Sequence, residues 1–100
     1  MIDFTQITSF DWDEGNSRKN DEKHGVSQAE AEQLFFNEPL MMLPDNLHSQ
    51  AESRIYALGK TDNGRCLHIT CTLRFNNSKI RVISARDMHR KERAIYEQKK

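Results

Sequence analysis

Residues 66–75, CLHITCTLRF, constrain the fold most, because apolar and polar side chains alternate along them. Successive side chains of a β-strand point to opposite faces of a sheet, so the alternation predicts a strand with one apolar and one polar face. The apolar positions are Leu67, Ile69, Cys71, Leu73 and Phe75, and the polar positions are His68, Thr70, Thr72 and Arg74. Helices must cover the apolar face. The polar face either meets water, as is common in antiparallel sheets, or binds a ligand.

Two further strands flank this one. Residues 54–59 (RIYALG) lead into the turn sequence TDNGR, and residues 79–85 (KIRVISA) follow the turn sequence NNS. Turn residues between apolar runs signal hairpins, so the three strands predict an antiparallel meander. The run LMML between Pro39 and Pro44 predicts an edge strand, because prolines flank it. A short strand is expected around residues 10–12.

Two helices are predicted before the meander. Asp13 is a suitable N-cap for a polar helix over EGNSRKNDEKH, and Gly25 would end that helix as its C′ glycine. We expect Trp12 and Val26 to attach this helix to the rest of the domain. Ser27 and Glu30 form the S-x-x-E pattern of a capping box, and an apolar stripe follows them, which predicts a second, half-buried helix.

Residues 81–97, RVISARDMHRKERAIYE, change from an apolar run to helical spacing and predict a strand followed by a third helix. The side expected to pack on the sheet carries Ala85, Met88, Ile95 and Tyr96. Another side carries Arg86, Arg90 and Arg93 at positions i, i+4 and i+7, with Arg81 on the incoming strand. Clustered guanidinium groups suit phosphate. A solvated basic helix face has the same composition, and these residues alone leave both interpretations open.

These elements predict an α+β domain: a meander of three to four main strands plus a short N-terminal strand, packed against two N-terminal helices and one C-terminal helix. A chain of 100 residues is the size of one domain, so we treat residues 1–100 as a single unit. Residues 1–9 are expected to form an N-terminal extension.

A net charge of zero hides an uneven distribution of charge. Up to Glu52 there are three basic and eleven acidic residues, and from Ser53 onward twelve basic and four acidic residues. The basic half could meet a polyanion, or the two halves could form oppositely charged surfaces that meet inside one fold. The sequence leaves both open.

Several classes of protein are not supported. Cys66 and Cys71 are five residues apart in one predicted strand and should point to opposite faces, which disfavours a disulfide between them. There is no metal-ligand spacing, P-loop, dinucleotide fingerprint or G-x-S-x-G motif, so no cofactor or metal is expected. The sequence has neither a signal peptide nor an apolar run long enough to span a membrane, and a cytoplasmic protein is the expectation.

Two motifs together resemble a known family. FDWDEGNSRKNDEKHGVS, residues 10–27, is similar to the opening signature of BrnT-type toxins of bacterial type II toxin–antitoxin systems, and RVISARDMHRKERAIYE resembles their ending. Between them, DNLHSQAESRIYALGKTDNGRCLHITCT is similar to the middle of the family. The matching residues are Phe10, Trp12, Asp13, Asn20, Lys23, His24, Gly25, Val26, His48, Glu52, Arg54, Arg81, Ser84, Ala85, Arg86, Arg90, Glu92, Arg93 and Tyr96.

The resemblance implies a RelE-like fold and a metal-independent endoribonuclease that inhibits translation in the bacterial cytoplasm. It also implies a BrnA-type antitoxin that binds and neutralises the toxin as a hetero-oligomer. Three positions depart from the family pattern: Asn16 replaces a common Lys, Gln28 a common aromatic residue, and Asp87 a common second Arg. Together they remove positive charge from the expected RNA surface.

Under this resemblance, RNA cleavage needs a base, an acid and cations that stabilise the phosphorane. We expect Arg54, Arg81 and Arg86 to bind phosphate. The candidate acid or base groups are Lys23, His24, Glu52 and Tyr96, and the candidates for RNA binding are His68, Arg74, Arg90 and Arg93. The alternative interpretations are a non-catalytic RNA- or protein-binding module with the same basic surface, and a structural subunit.

Overall fold

The structure, a computed structural model, describes residues 7–45, 54–74 and 78–98. Its elements in chain order are β1 (Ser9–Asp11), α1 (Glu14–His24), α2 (Gln28–Leu34), β2 (Met41–Pro44), β3 (Arg54–Lys60), β4 (Cys66–Arg74), β5 (Lys79–Asp87) and α3 (Arg90–Glu97). This order and the α+β class confirm the predicted architecture. Within the described ranges no helix has both the length and the apolar character needed to cross a membrane.

The five strands form one mixed sheet in the order β1-β5-β4-β3-β2. Strands β2 to β5 pair antiparallel as the predicted meander, whereas β1 pairs parallel to β5, with Phe10 opposite Ile80. The predicted N-terminal extension therefore overlaps the fold, since Ile7 packs against the core and Ser9 begins β1. Residues 1–6 lie outside the described part of the chain.

Helix α2 covers the apolar face of the sheet. Its capping box is present as predicted, with the Ser27 hydroxyl accepting from the backbone N–H of Glu30 and the Glu30 carboxylate accepting from the Ser27 N–H. Leu34, fully buried, packs directly on Gly59 of β3, where an added Cβ would lie 2.7 Å from Leu34 Cγ. Burying a leucine stabilises a fold by roughly 1.5–3 kcal/mol, and any larger residue at position 59 would displace it.

Helix α1 is polar and is attached to the sheet mainly through hydrogen bonds. Asp13 caps it and Gly25 ends it with φ +66°, both as predicted. Beyond the short strand β1, the outer edge of β5 is bonded by α1 side chains: Asn16 Nδ2 donates to Ile83 O at 2.7 Å, and Asn20 Oδ1 accepts from Ala85 N–H at 2.8 Å. Asn16, a departure from the family pattern, is therefore a structural contact. The prediction that Trp12 and Val26 attach this helix missed these bonds.

Arg65, which no prediction singled out, joins α1, α2 and β5. Its Nη1 and Nη2 donate to the backbone oxygens of Gly25 and His24, at 2.8 and 3.2 Å, where α1 ends. The same guanidinium bonds both carboxylate oxygens of Asp87 at 2.7 and 3.1 Å, and Nη1 lies 3.2 Å from Glu30. Asp87, another departure from the family pattern, thus holds β5 to the ends of α1 and α2 through Arg65.

A β-bulge changes which residues of β5 face which side. Thr70 pairs with Ser84 and Cys71 pairs with Val82, so Ile83 has no opposite residue on β4. Consecutive strand residues normally point to opposite faces, and an extra residue breaks that rule. Ile83 and Ser84 consequently line the same cavity.

The start of α3 corrects one prediction. Arg86 belongs to β5, opposite His68, and strand pairing continues to Met88, whose N–H donates to Cys66 O at 3.1 Å. The prediction that Arg86, Arg90 and Arg93 share one side of a helix is therefore wrong. Of the residues expected to hold α3 to the sheet, Tyr96 is fully buried, while Ile95 is 49% exposed. The packing prediction for Ile95 is wrong as well.

Candidate functional site

A cavity of about 470 Å³ opens on the polar face of the sheet, opposite the face that α2 covers. Strand register sets its floor. Leu43, Tyr56, Thr70 and Ser84 form one row across β2, β3, β4 and β5, and Leu58, His68 and Arg86 form a parallel row on β3, β4 and β5. Helix α3 supplies Glu92 and Ile95 above this floor. The face on which the sequence placed His68 and Thr70 is therefore the face of the cavity.

Arg86 and Glu92 form an ion pair with two hydrogen bonds in the cavity. Nη1 and Nη2 of Arg86 donate to Oε1 and Oε2 of Glu92 at 2.8 and 2.9 Å, and Glu92 Oε1 also accepts from His89 N–H at 2.8 Å. These bonds, above all those from Arg86, lower the pKa of Glu92 to about 2 against the opposing effect of burial. Glu92 is therefore ionised across the physiological range.

The contacts of Arg86 leave one edge of its guanidinium open. Nη1 donates one hydrogen bond to Glu92 and one to the backbone oxygen of Asp87. Nη2 donates one of its two protons to Glu92. Among the described residues, Nε–H and the second Nη2 proton have no acceptor, and these two donors are spaced to match a phosphate. Arg86 is thus held by one edge and can bind an anion with the other.

His68 lies between an aromatic ring and this ion pair. Its ring stacks on Tyr56 with centroids 5.3 Å apart and planes 10° apart, and its Nε2 lies 3.7 Å from Glu92 Oε2. Burial lowers the pKa of His68, the charge of Arg86 lowers it further, and the charge of Glu92 opposes them. A neutral imidazole near pH 7 can accept a proton, and the neighbouring carboxylate would stabilise the imidazolium that results.

Arg54 also lines the cavity, at the start of β3. Asp45 lies next to it, and its backbone N–H donates to Arg54 O at 2.8 Å. Two of the three residues predicted to bind phosphate, Arg54 and Arg86, thus reach one cavity with His68. Their guanidinium groups come from β3 and β5, on either side of β4.

The third predicted phosphate ligand, Arg81, is bound elsewhere. Its Nη1 donates to Asp11 at 3.1 Å and its Nη2 to Asp13 at 3.3 Å, so it links β5 to β1 and to the N-cap of α1. The Arg81 charge contributes, after the Asn16 backbone N–H, to lowering the pKa of Asp13. Arg81 is not among the residues that line the cavity.

Tyr96 has a buried partner as well. Its side chain is fully buried, and its hydroxyl donates to the backbone oxygen of Pro39 at 2.7 Å, just before β2. Burial is the largest cause that raises the pKa of Tyr96. A phenol with these contacts fixes the end of α3 on the sheet and is not positioned to exchange protons with a ligand in the cavity.

The other predicted residues lie outside the cavity. Lys23 and His24 are in the last turn of α1, and Arg90 and Arg93 lie on the exposed surface of α3. Arg74 is six residues along β4 from His68, a distance of roughly 20 Å in a strand. Glu52 and His48 fall outside the described residues. Within the described ranges, no group of three His, Cys, Asp or Glu side chains could hold a metal ion.

Fold and cavity define a small α+β protein in which a polar sheet face and a C-terminal helix bring together a histidine, two carboxylates and two arginines. The family model for the ribonuclease toxin, BrnT, of type II toxin–antitoxin systems matches residues 12–92. The chain therefore belongs to the BrnT family.

A solved structure shows the same fold. The crystal structure of the Brucella abortus ribonuclease toxin, BrnT, aligns with a TM-score of 0.63 at 21% sequence identity and covers 84% of this chain and all of its own. At this identity the likeness concerns the fold. Comparison with curated proteins gives no significant match.

Proposed function

We propose that the protein is a metal-independent endoribonuclease of the RelE-like type, and that the cavity over His68 is its active site. One observation carries this proposal: a histidine, a carboxylate beside it and an arginine with an open phosphate-binding edge meet in one cavity. Family membership supports RNA as the substrate class. His68, which the sequence suggested for RNA binding, takes the role of the base in this proposal.

The reaction follows from these groups. A phosphate of the RNA strand binds to the open edge of Arg86 and to Arg54, which also stabilise the charge that develops on the phosphorane. His68 accepts the proton of the 2′-hydroxyl as its oxygen attacks phosphorus, and Glu92 stabilises the imidazolium. The bond to the 5′-oxygen breaks, and that oxygen takes a proton from water. The products are a 2′,3′-cyclic phosphate and a 5′-hydroxyl end.

A cleavage assay tests this. The purified protein should cut a labelled single-stranded RNA in the presence of EDTA and leave 2′,3′-cyclic phosphate ends, and a 2′-deoxy nucleotide at the cut position should block the reaction. His68→Ala and Arg86→Ala should lose about a hundredfold or more in rate. Lys91→Ala, an exposed substitution on α3, serves as the matched control. Inhibition by EDTA, or equal rates for all variants, would contradict the mechanism.

The same assay addresses the second candidate, a non-catalytic RNA-binding module. Such a module would bind the oligonucleotide through Arg54 and Arg86 and release no product. The stacked Tyr56–His68 pair is compatible with it, because aromatic platforms bind bases without chemistry. A complex with a constant ratio of RNA to protein, and with no cleavage of the RNA over hours, would favour the module.

We also propose that a BrnA-type antitoxin neutralises the protein as a hetero-oligomer, and that free toxin inhibits translation in the bacterial cytoplasm. Membership of a type II toxin–antitoxin family supports a protein partner. Expression of the chain alone should arrest growth, and co-expression with its neighbouring small gene should restore growth and yield a co-purifying complex. Growth arrest without a fall in protein synthesis would contradict translation as the target.

A further inference from the structure

Large apolar side chains are exposed at three places in the described residues: Phe36 at 79%, Ile95 at 49% and Leu43 at 37%. Leu43 and Ile95 both line the cavity over His68, although they come from β2 and α3. Single exposed apolar side chains are common on protein surfaces, but apolar side chains that line one concave site together mark a binding surface.

Strand register and helix spacing relate these two side chains to the polar residues of the cavity. Leu43 lies directly opposite Tyr56 in the β2–β3 pair. Ile95 follows Glu92 by three residues and so shares its side of α3. Leu43, Tyr56 and Ile95 all line the cavity that also holds the Arg86–Glu92 ion pair, and they belong to its apolar lining.

We propose that Leu43, Tyr56 and Ile95 form a clamp for one unpaired nucleobase of the RNA strand, adjacent to the phosphate bound by Arg86. This inference rests on the proposed function and specifies its substrate as single-stranded RNA. Every base has an apolar, polarisable face that stacks on aromatic and aliphatic side chains. His68 already covers one face of the Tyr56 ring, so the clamp uses the rest of that ring together with the two aliphatic side chains.

The size of the cavity sets the number of nucleotides it holds. Its volume of about 470 Å³ lies in the lower half of the range of ~300–1,000 Å³ that is typical of small-ligand sites. One nucleotide fits such a space, whereas a base-paired duplex does not. The clamp recognises a base by its stacking surface, and a purine, which buries more area than a pyrimidine, is the preferred base.

The charges beside the clamp favour a nucleotide over an apolar protein side chain as the occupant. Glu92 is bound to one edge of the Arg86 guanidinium. The other edge carries two N–H donors whose spacing suits a phosphate group. Arg54 lines the same cavity. An apolar peptide side chain would cover the clamp and leave the open edge of Arg86 without an acceptor.

The test compares RNA oligonucleotides that differ at a single position. One carries an abasic ribose next to the cut site and the other a normal purine there, and both are used with wild type, Leu43→Ser, Ile95→Ser and Phe36→Ser. The abasic substitution should raise KM of the wild type by about tenfold or more, the usual effect of losing one stacked base. Leu43→Ser and Ile95→Ser should raise KM for the purine substrate similarly, with kcat little changed.

The combined changes identify the clamp. The abasic substrate should bind wild type and Leu43→Ser about equally, because it has no base that could contact Leu43. Phe36→Ser, an exposed apolar residue near β1 on the other face, should behave as wild type with every substrate. Additive effects of the abasic site and the Leu43 substitution would overturn the proposal, as would normal KM values with loss of neutralisation by the antitoxin. The latter result would assign the patch to a protein interface.

Binding by uncleavable 2′-deoxy oligonucleotides separates this proposal from the proposed function. Their Kd should respond to the abasic site and to Leu43→Ser as KM does. A Kd that depends on the clamp, with no cleavage of the ribose substrate, would support the clamp and overturn the ribonuclease mechanism. A Kd that changes neither with the abasic site nor with Leu43→Ser would overturn the clamp. Thermal unfolding of each variant confirms that the fold is intact.

Discussion

Glu92 binds Arg86 by one edge of its guanidinium, through both carboxylate oxygens at 2.8 and 2.9 Å. The same carboxylate lies 3.7 Å from Nε2 of His68. A single acidic side chain on α3 therefore positions a cation of β5 and sets the electrostatic environment of a histidine on β4. The two side chains are only 22% and 23% exposed, so water screens the contact less than it would at an open surface.

Glu92→Gln should change the pH dependence of cleavage. The carboxylate raises the pKa of His68, against burial and Arg86, which lower it. His68 must be neutral to act as a base, so activity falls as the pH drops through its pKa, and loss of the Glu92 charge should move this acidic limb to lower pH. The rate at pH 7 should fall about tenfold, because the carboxylate 3.7 Å from Nε2 no longer stabilises the imidazolium by its charge.

The pH profile of kcat/KM measures this. The charged or titratable groups that face His68 are Arg86 on β5, Glu92 on α3, His89 at the N-cap of α3, and Tyr56 on β3. Glu97→Gln makes the same change on the same helix outside the cavity lining. The acidic limb of its pH profile should coincide with that of the wild type. An acidic limb that stays in place in Glu92→Gln, or that moves to higher pH, would argue against His68 as the base.

Acid stability should also depend on Glu92. Its pKa is lowered from the usual 4.5 to about 2, chiefly by Arg86. A depressed acid pKa adds stability that is fully present above about pH 4.5 and is lost as the pH falls toward 2. Between pH 7 and pH 3 this group accounts for about 2 kcal/mol of the fall in the free energy of unfolding.

Urea unfolding at pH 7 and pH 3 measures that difference. Glu92→Gln should be less stable than wild type at pH 7 and should lose less stability on going to pH 3, because the neutral amide does not titrate. Asp13, Glu30 and Asp87 also have lowered pKa values in their hydrogen-bonded sites, so the variant should keep part of the pH dependence. If the free energy of unfolding of Glu92→Gln fell between pH 7 and pH 3 by as much as that of the wild type, the contact between Glu92 and Arg86 would not be formed in solution.

Asn20→Ala should destabilise the edge of β5. The side chain of Asn20 accepts the N–H of Ala85 at 2.8 Å, and Ala85 is buried, so the substitution leaves a backbone donor without a protein acceptor. Such a loss costs roughly 1–3 kcal/mol. Chemical denaturation measures the cost, and hydrogen exchange should accelerate at the Ala85 amide. Lys19→Ala, an exposed change on the same helix, should leave both unchanged.

The sequence predicted those parts of the fold that depend on neighbours along the chain. Asp13, Gly25 and the Ser27–Glu30 box act within a few residues, and strand alternation placed His68 on the polar face. The end of β5 depends on pairing with β4, which carried the strand through Arg86 to Met88 despite the helical spacing of these residues. Tertiary pairing overrode the local pattern there.

The site was predicted in part for the same reason. Arg54, Arg86 and His68 were named from their residue types and motifs, and they meet in the cavity. Their meeting depends on strand register, on the bulge at Ile83 and on the placement of α3, which no local pattern encodes. Ile95 and Tyr96 show the limit most clearly: both were expected to pack on the sheet, but only Tyr96 is buried, whereas Ile95 is exposed and lines the cavity.

Tyr96→Phe tests whether the family's C-terminal tyrosine works in the reaction or in the fold here. The phenol is fully buried and donates to Pro39 O at 2.7 Å, which ties α3 to the segment before β2. Its removal should lower the free energy of unfolding by about 1 kcal/mol, the typical net value of one hydrogen bond. Cleavage by the folded variant should proceed at the wild-type rate with an unchanged pH profile. A rate reduced a hundredfold at wild-type stability would instead place the Tyr96 hydroxyl in the proton transfers and require α3 to move away from Pro39 during the reaction.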